Sequence, residues 1–221
     1  MMKIVAVISQ KGGAGKTTLA VHLAAAAHQA GYGTAIFDMD PQATAETWGQ
    51  WRGDKPPEVV PAKAATLARS LDKAREAGAE LLVLDTPGAA EGASLAAANV
   101  ADLILIPCRP RSFDLAAIQQ TAALARTTGR PMWLVFNGTA TRGQVRVDAR
   151  EVAAGIGLAI APVQLAERAA FHRATEQGLT AQEIEPDGKA ASEVAALWQW
   201  VCEQITLLPR KHVRVRTGKR K

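Results

Sequence analysis

The chain has 221 residues, 48% of them apolar and 21% charged, enough for one α/β domain with a sizeable buried core. Cys108 and Cys202 set up neither a disulfide framework nor a metal-ligand spacing, and no apolar run approaches the ~20 residues of a membrane span. The net charge of +5 is concentrated in Pro209–Lys221, where Arg210, Lys211, Arg214, Arg216, Lys219, Arg220 and Lys221 meet no acid; the remainder carries 19 basic residues against 21 acidic ones.

In chain order, Lys3–Ser9 (KIVAVIS) reads as a buried strand, Gln10–Gly15 as a loop, and Lys16–Ala30 as a helix closed by Gly31. Thr34–Asp38 is a second strand and Ala43–Trp51 a short helix; Arg52–Pro61, rich in proline, glycine and charge, reads as a loop. Lys63–Ala77 is helical, Glu80–Asp85 (ELLVLD) a strand, and Ala89–Val100 contains a helix. Asp102–Pro107, Met132–Asn137 and Leu158–Val163 are strands. Helices are expected at Leu115–Thr127 and Val147–Gly155, then at Glu167–Gln177 and Lys189–Leu207. Alternating strands and helices predict an α/β fold: a mostly parallel, twisted sheet with helices on both faces. The near-continuous apolar strands suit a sheet covered on both sides. Residues 1–208 read as one domain and 209–221 as a basic tail suited to a polyanion. No secretory leader pattern opens the chain, and the expected setting is reducing and cytoplasmic.

The chemistry concentrates in Lys11-Gly12-Gly13-Ala14-Gly15-Lys16-Thr17-Thr18, between a strand and a helix. Glycines at this place let backbone N–H groups turn inward around phosphate oxygens, and the helix adds its positive N-terminal end. Lys16 can reach the β- and γ-phosphates and the Thr17 hydroxyl can ligate Mg²⁺. Asp38 and Asp40 close the second strand, and strand C-terminal ends face the ligand crevice of such sheets. Being two apart, one can hold a metal-bound water while the other faces the γ-phosphate. Asp85 ends another apolar strand, with Thr86-Pro87-Gly88 after it.

The strict P-loop pattern fails at Gln10, and an extra lysine, Lys11, stands before a double glycine. This wording resembles the deviant Walker A loop of the ParA/MinD family of ATPases, K-G-G-x-G-K-T-T, at all eight positions. Asp38-Met39-Asp40-Pro41-Gln42 and Leu81–Gly88 are similar to that family's second motif and its Walker B strand. The resemblance covers roughly the first 200 residues, with its most specific motifs in the first 90. It implies a P-loop NTPase fold, with ATP and Mg²⁺ as cofactors. Asp40 would position the attacking water, and Asp38 would support the metal together with Thr17 and Asp85. Lys11 would reach across an ATP-dependent homodimer to the partner's phosphates. Asn137, ending MWLVFN, would bond the adenine; many relatives follow this asparagine with an arginine, where this chain has Gly138 and next Arg142. ATP over GTP rests on the resemblance, since no N-K-x-D motif is present.

The resemblance is closest in style to the small partition ATPases, with the loop starting too early to leave room for an N-terminal DNA-binding domain. It implies nonspecific DNA binding at the nucleoid and a cargo-bound adaptor protein that stimulates hydrolysis. Arg168 stands where relatives often carry a DNA-contacting arginine, and Arg173 follows; both also suit an ordinary helix surface. A MinD-like membrane-cycling ATPase is the alternative. It needs an amphipathic C-terminal helix, and here the end offers only Val213 and Val215, spaced by two. An iron-protein-type reductase needs cluster cysteines, and neither Cys108 nor Cys202 has the look of a ligand. A non-catalytic scaffold is disfavoured because the loop lysine, the threonine and the three aspartates are all present. The identity of the cargo lies in a partner, outside this sequence.

Overall fold

Each central strand is a short apolar run with two buried faces. The computed structural model describes residues 1–88, 90–110, 112–141, 151 and 153–208, and over 112–117 the backbone alone. Its strands are β1 (Lys3–Val7), β2 (Thr34–Asp38), β3 (Glu58–Pro61), β4 (Leu81–Asp85), β5 (Leu103–Cys108), β6 (Met132–Thr139) and β7 (Leu165–Ala166). They form one sheet in the order β3-β2-β4-β1-β5-β6-β7, and every pairing is parallel. The helices are α1 (Lys16–Gln29), α2 (Thr44–Arg52), α3 (Leu67–Glu76), α4 (Glu91–Val100), α5 (Ser112–Arg126), α6 (Ala169–Thr175), α7 (Ala181–Ile184) and α8 (Lys189–Gln204).

The period of two along the strands divides the interior into two layers. Val5, Val7, Leu81, Val83, Leu103 and Leu105 face α1, α2, α6, α7 and α8. Ile4, Ala6, Leu82, Leu84, Ile104 and Ile106 face α3, α4 and α5. Helix α1 is buried along most of its length, and its run of alanines fits the space between the sheet and α8 without bulk. The register aligns the C-terminal ends: Asp85 stands opposite both Val7 and Asp38. The loop after β1 and the carboxylates ending β2 and β4 therefore open onto one edge of the sheet, as expected for this architecture.

Two local expectations are corrected. Glu58–Pro61, read as loop, is an edge strand paired with β2, because Val59 and Val60 pack inward and Pro61 sits at the strand's end, where a missing N–H costs least. Leu158–Val163, read as the last strand, contributes only a bridge between Ile160 and Leu134. Its pairing stops at the bond from Ala161 N to Leu134 O (2.8 Å), just before Pro162, which has no N–H to continue it. The strand resumes as β7, opposite Asn137 and Thr139 across a register shift. Helix α7 is an addition to the sequence reading. Its signal was legible as Thr180-Ala-Gln-Glu183, and the structure shows both halves of that capping box. The expected helix Val147–Gly155 lies largely outside the described residues, as do Arg142 and the tail 209–221.

Candidate nucleotide site

Between β1 and α1 the chain turns through Gly13 (φ +73°) and Gly15 (φ +89°), a left-handed backbone that glycine adopts without a Cβ penalty. Gly15 has a second constraint: a Cβ there would fall 1.9 Å from Asn137 Nδ2. The bare backbone lets Asn137 reach the loop, and its amide donates to Ala14 O (3.2 Å) and Gly15 O (3.4 Å). The expected adenine ligand thus already spends its amide nitrogen on holding the loop.

The loop borders a cavity of about 800 Å³. Gly12, Gly13, Gly15, Lys16, Thr17 and Thr18 line it, together with Asp40, Pro41 and Gln42 after β2 and Pro87 and Gly88 after β4. Lys11, Ala14 and Asn137 are not among its lining residues. Lys16 is buried, and its ammonium donates to Lys11 O at 3.3 Å. Burial holds its pKa below the ordinary value; Asp85 and Asp40 pull it part of the way back. A cation so placed is desolvated and directed along the loop toward the space a polyphosphate would fill.

Thr17 donates its hydroxyl to Asp85 Oδ2 at 2.7 Å. Asp85 is 1% exposed, and its other oxygen, Oδ1, has no hydrogen-bond partner among the described residues. Burial pushes this carboxyl up to about 7, against the Thr17 bond and Lys16, with Asp38 and Asp40 adding to the rise. A buried carboxylate oxygen without a partner is costly, and a hard cation or its water would satisfy it. The oxygens of Thr17 and Asp85 therefore fit Mg²⁺.

Asp38 is engaged by the backbone on both oxygens. Its Oδ1 accepts from Asp40 N and its Oδ2 from Glu46 N, both at 2.9 Å. It organises the turn into α2, and only its remaining lone pairs are left for a metal shell. Burial raises its pKa against those backbone bonds. Asp40 is the carboxylate that faces the cavity; its Oδ1 accepts from Gln42 N at 2.9 Å. In the loop after β4, Thr86 is buried and donates to Val7 O at 2.9 Å, so Pro87 and Gly88 are the part that meets the cavity. Cys108 is buried and its thiol is pushed up to about 12 by that burial; Cys202 rises to about 11 for the same reason, and both are free thiols.

The sequence reading missed Arg109, which lines the cavity from the end of β5. The rule that singled out Asp38 applies equally to a cation following an apolar strand. Arg168, an expected DNA contact, is the N-cap residue of α6. Its guanidinium is held by Glu193 Oε1, at 3.0 Å from Nε and 2.5 Å from Nη2, and this bond raises its pKa. Arg173 pairs with Glu185.

A parallel sheet with a glycine loop, a buried lysine and a threonine–aspartate pair at one edge defines a P-loop nucleotide-binding protein. The chain belongs to the CobQ/CobB/MinD/ParA nucleotide-binding domain family, which matches residues 5–181. The maintenance of carboxysome distribution protein A of Gloeobacter kilaueensis is 34% identical over 208 residues, covering 92% of this chain and 94% of that one. Protein ParA of Rhizobium radiobacter is 31% identical over 115 residues, 51% of each chain. The fold is similar to that of apo McdA from Cyanothece, with a TM-score of 0.74 and 17% identity over 91% of this chain and 100% of that one. Among the described residues no helix is long and apolar enough to cross a membrane.

Proposed function

We propose that this protein is an ATPase that distributes a large cargo by cycling between an ATP-bound dimer and a released monomer. The observation that carries this reading is the Thr17–Asp85 pair beside Lys16, with Asp40 facing the same cavity. Mg²⁺ held there would supply positive charge to the phosphates. Lys16 would bind the phosphates, Thr17 and Asp85 would hold the metal with Asp38 behind them, and Asp40 would orient the attacking water. Lys11 lies outside the cavity of its own chain, which suits a cation that serves a partner's nucleotide. Such a contact makes ATP a dimerisation ligand, and hydrolysis removes the bridge.

The name of the Gloeobacter kilaueensis relative supports distribution of a body such as a carboxysome. In this reading a plasmid is an equally suitable cargo, and an adaptor on the cargo stimulates hydrolysis. In this reading residues 1–208 form the ATPase domain and 209–221 a nucleoid-seeking tail. Dimerisation brings two tails to one duplex and raises avidity by ~10²–10⁴. Arg210, Lys211, Arg214, Arg216, Lys219, Arg220 and Lys221 are favoured as the phosphate contacts, since Arg168 is engaged by Glu193.

Three variants test the cycle. Lys16→Ala should lose nucleotide binding. Asp40→Ala should bind ATP and turn it over at least ~10²-fold more slowly, within the range for a lost water-activating group. Lys11→Ala should stay monomeric in ATP by sedimentation. Wild-type turnover in the Asp40 variant would sink the water assignment. An equally stable ATP dimer without Lys11 would sink the bridge, and equal DNA affinity in ADP and ATP would sink the switch.

A further inference from the structure

Arg109 leaves β5 where that strand runs beside β1, a pairing extended by the bond from Ile8 N to Leu105 O at 3.0 Å. This carries its side chain over the same cavity that Gly12, Gly15, Lys16 and Thr17 line. Beneath it lies Gly138 at φ +66°. A Cβ on Gly138 would stand 3.4 Å from Arg109 Nε, 3.5 Å from its Cγ and 3.5 Å from Glu167 Oε2. The glycine thus leaves room for the guanidinium and its acidic neighbour to lie together at the end of β6.

The guanidinium is poorly satisfied there. Among the described residues its buried Nε has no hydrogen-bond partner, and Nη1 is 3.8 Å from Glu167 Oε2, beyond hydrogen-bonding distance. Glu167 is itself shared, with His172 Nε2 3.9 Å from Oε1. A buried donor without an acceptor is unfavourable, whereas a planar fork of N–H donors matches phosphate oxygens two at a time. Both observations, the orphaned donor and its place in the cavity lining, point to a ligand that brings acceptors.

We propose that Arg109 is a nucleotide-binding residue that donates to a phosphate of the bound nucleotide, and that Glu167 restrains it when the site is empty. The inference rests on the nucleotide-binding reading above and extends it to a residue outside the glycine loop. Arg109 supplies a cation from the β5–β6 side, opposite the carboxylates of β2 and β4. The phosphate chain would then lie between Lys16 and Arg109. Glu167 attracts the same guanidinium by its charge, so that charge sets how readily the arginine turns to phosphate.

The test is calorimetric binding of ADP with Mg²⁺, and of pyrophosphate, to the full-length protein. Arg109→Gln should weaken ADP and pyrophosphate alike by about 10-fold, the scale of one lost charge-assisted bond. Glu167→Gln should tighten both by about two- to five-fold, a gain that misfolding cannot produce. The double variant should match Arg109→Gln, since Glu167 acts through the arginine. Wild-type affinity in Arg109→Gln would overturn the proposal while leaving the nucleotide site intact. Failure of the wild-type protein to bind ADP would instead remove the underlying reading. A loss seen for ADP but not for pyrophosphate would move the contact to the nucleoside and overturn the phosphate assignment. A Glu167→Gln affinity unchanged from wild type would overturn the restraint.

Discussion

The loops after β1, β2 and β4 and the flank built by α2, α6 and α7 both bury charge, and they treat it differently. At the phosphate edge, among the described residues, Asp85 keeps an oxygen without a partner, and Lys16 is desolvated and donates to a carbonyl 3.3 Å away. On the flank, Arg52 is buried with a full set of partners. It donates to Gly178 O (2.9 Å), Pro56 O and both oxygens of Glu183 (3.0 and 2.8 Å), and its guanidinium lies 4.8 Å from the centre of the Trp48 ring. Burial pushes the Glu183 carboxyl up, but Arg52 and Thr180 outweigh it and leave its pKa below the ordinary value. His22 joins the two regions. Its Nδ1 bonds Thr18 O at 2.8 Å, beside the glycine loop, and its Nε2 accepts from Ala181 N at 3.0 Å, at the start of α7. With Nε2 accepting, Nδ1 carries the proton and the ring is neutral. Unsatisfied charge marks the edge that meets a ligand, and satisfied charge marks the flank that holds the fold.

The comparison breaks most severely at Arg52. Arg52→Ala leaves Glu183 and two carbonyls without their cation and should cost roughly 3–5 kcal/mol in denaturant unfolding. A loss under about 1 kcal/mol would mean that the flank's pairing is no firmer than an ordinary surface bridge.

The next effect is one of pH. His22 is fully buried, and burial lowers its pKa to about 4, against the bond to Thr18 and the charge of Glu183. The unfolded chain takes up a proton near the ordinary value of about 6.5, while the folded chain does not. Stability from the neutral ring is therefore complete above that value and is lost as pH falls toward 4, a loss of about 3 kcal/mol by linkage. His22→Gln should be less stable at neutral pH yet lack this share of the acid loss. Parallel stability curves for the two proteins between pH 7.5 and 4.5 would refute it.

The smallest effect sharpens the contrast. Asp40 contributes one bond to a turn and otherwise faces the cavity, so Asp40→Ala should change unfolding free energy by no more than about 0.5 kcal/mol. Paired with a slow turnover, that result would separate function from stability at the phosphate edge. A loss of several kcal/mol would place Asp40 among the structural carboxylates with Asp38.

Much of the phosphate edge was legible because its chemistry is local. A loop of glycines between a strand and a helix, and carboxylates at strand ends, need only neighbours in sequence to be recognised. Asp38 shows the limit: its type and place were read correctly, but that both oxygens would be engaged by backbone N–H groups depends on how α2 begins. Asn137 shows it again, since nothing in MWLVFN reveals that Gly15 lies close enough to receive its amide. Arg109 and Glu167 are 58 residues apart and meet only because β5, β6 and β7 are adjacent.

The sequence by itself determined the alternation of elements, the parallel sheet and the identity of the phosphate loop, because periodicity and short-range turns are written in consecutive residues. The tertiary structure alone decided which strands lie side by side and that Glu58–Pro61 rather than Leu158–Val163 forms a continuous strand. It also decided which charges are left wanting a partner. Those outcomes depend on contacts between residues distant in the chain, where burial removes water and leaves each polar group to whatever the fold has placed beside it.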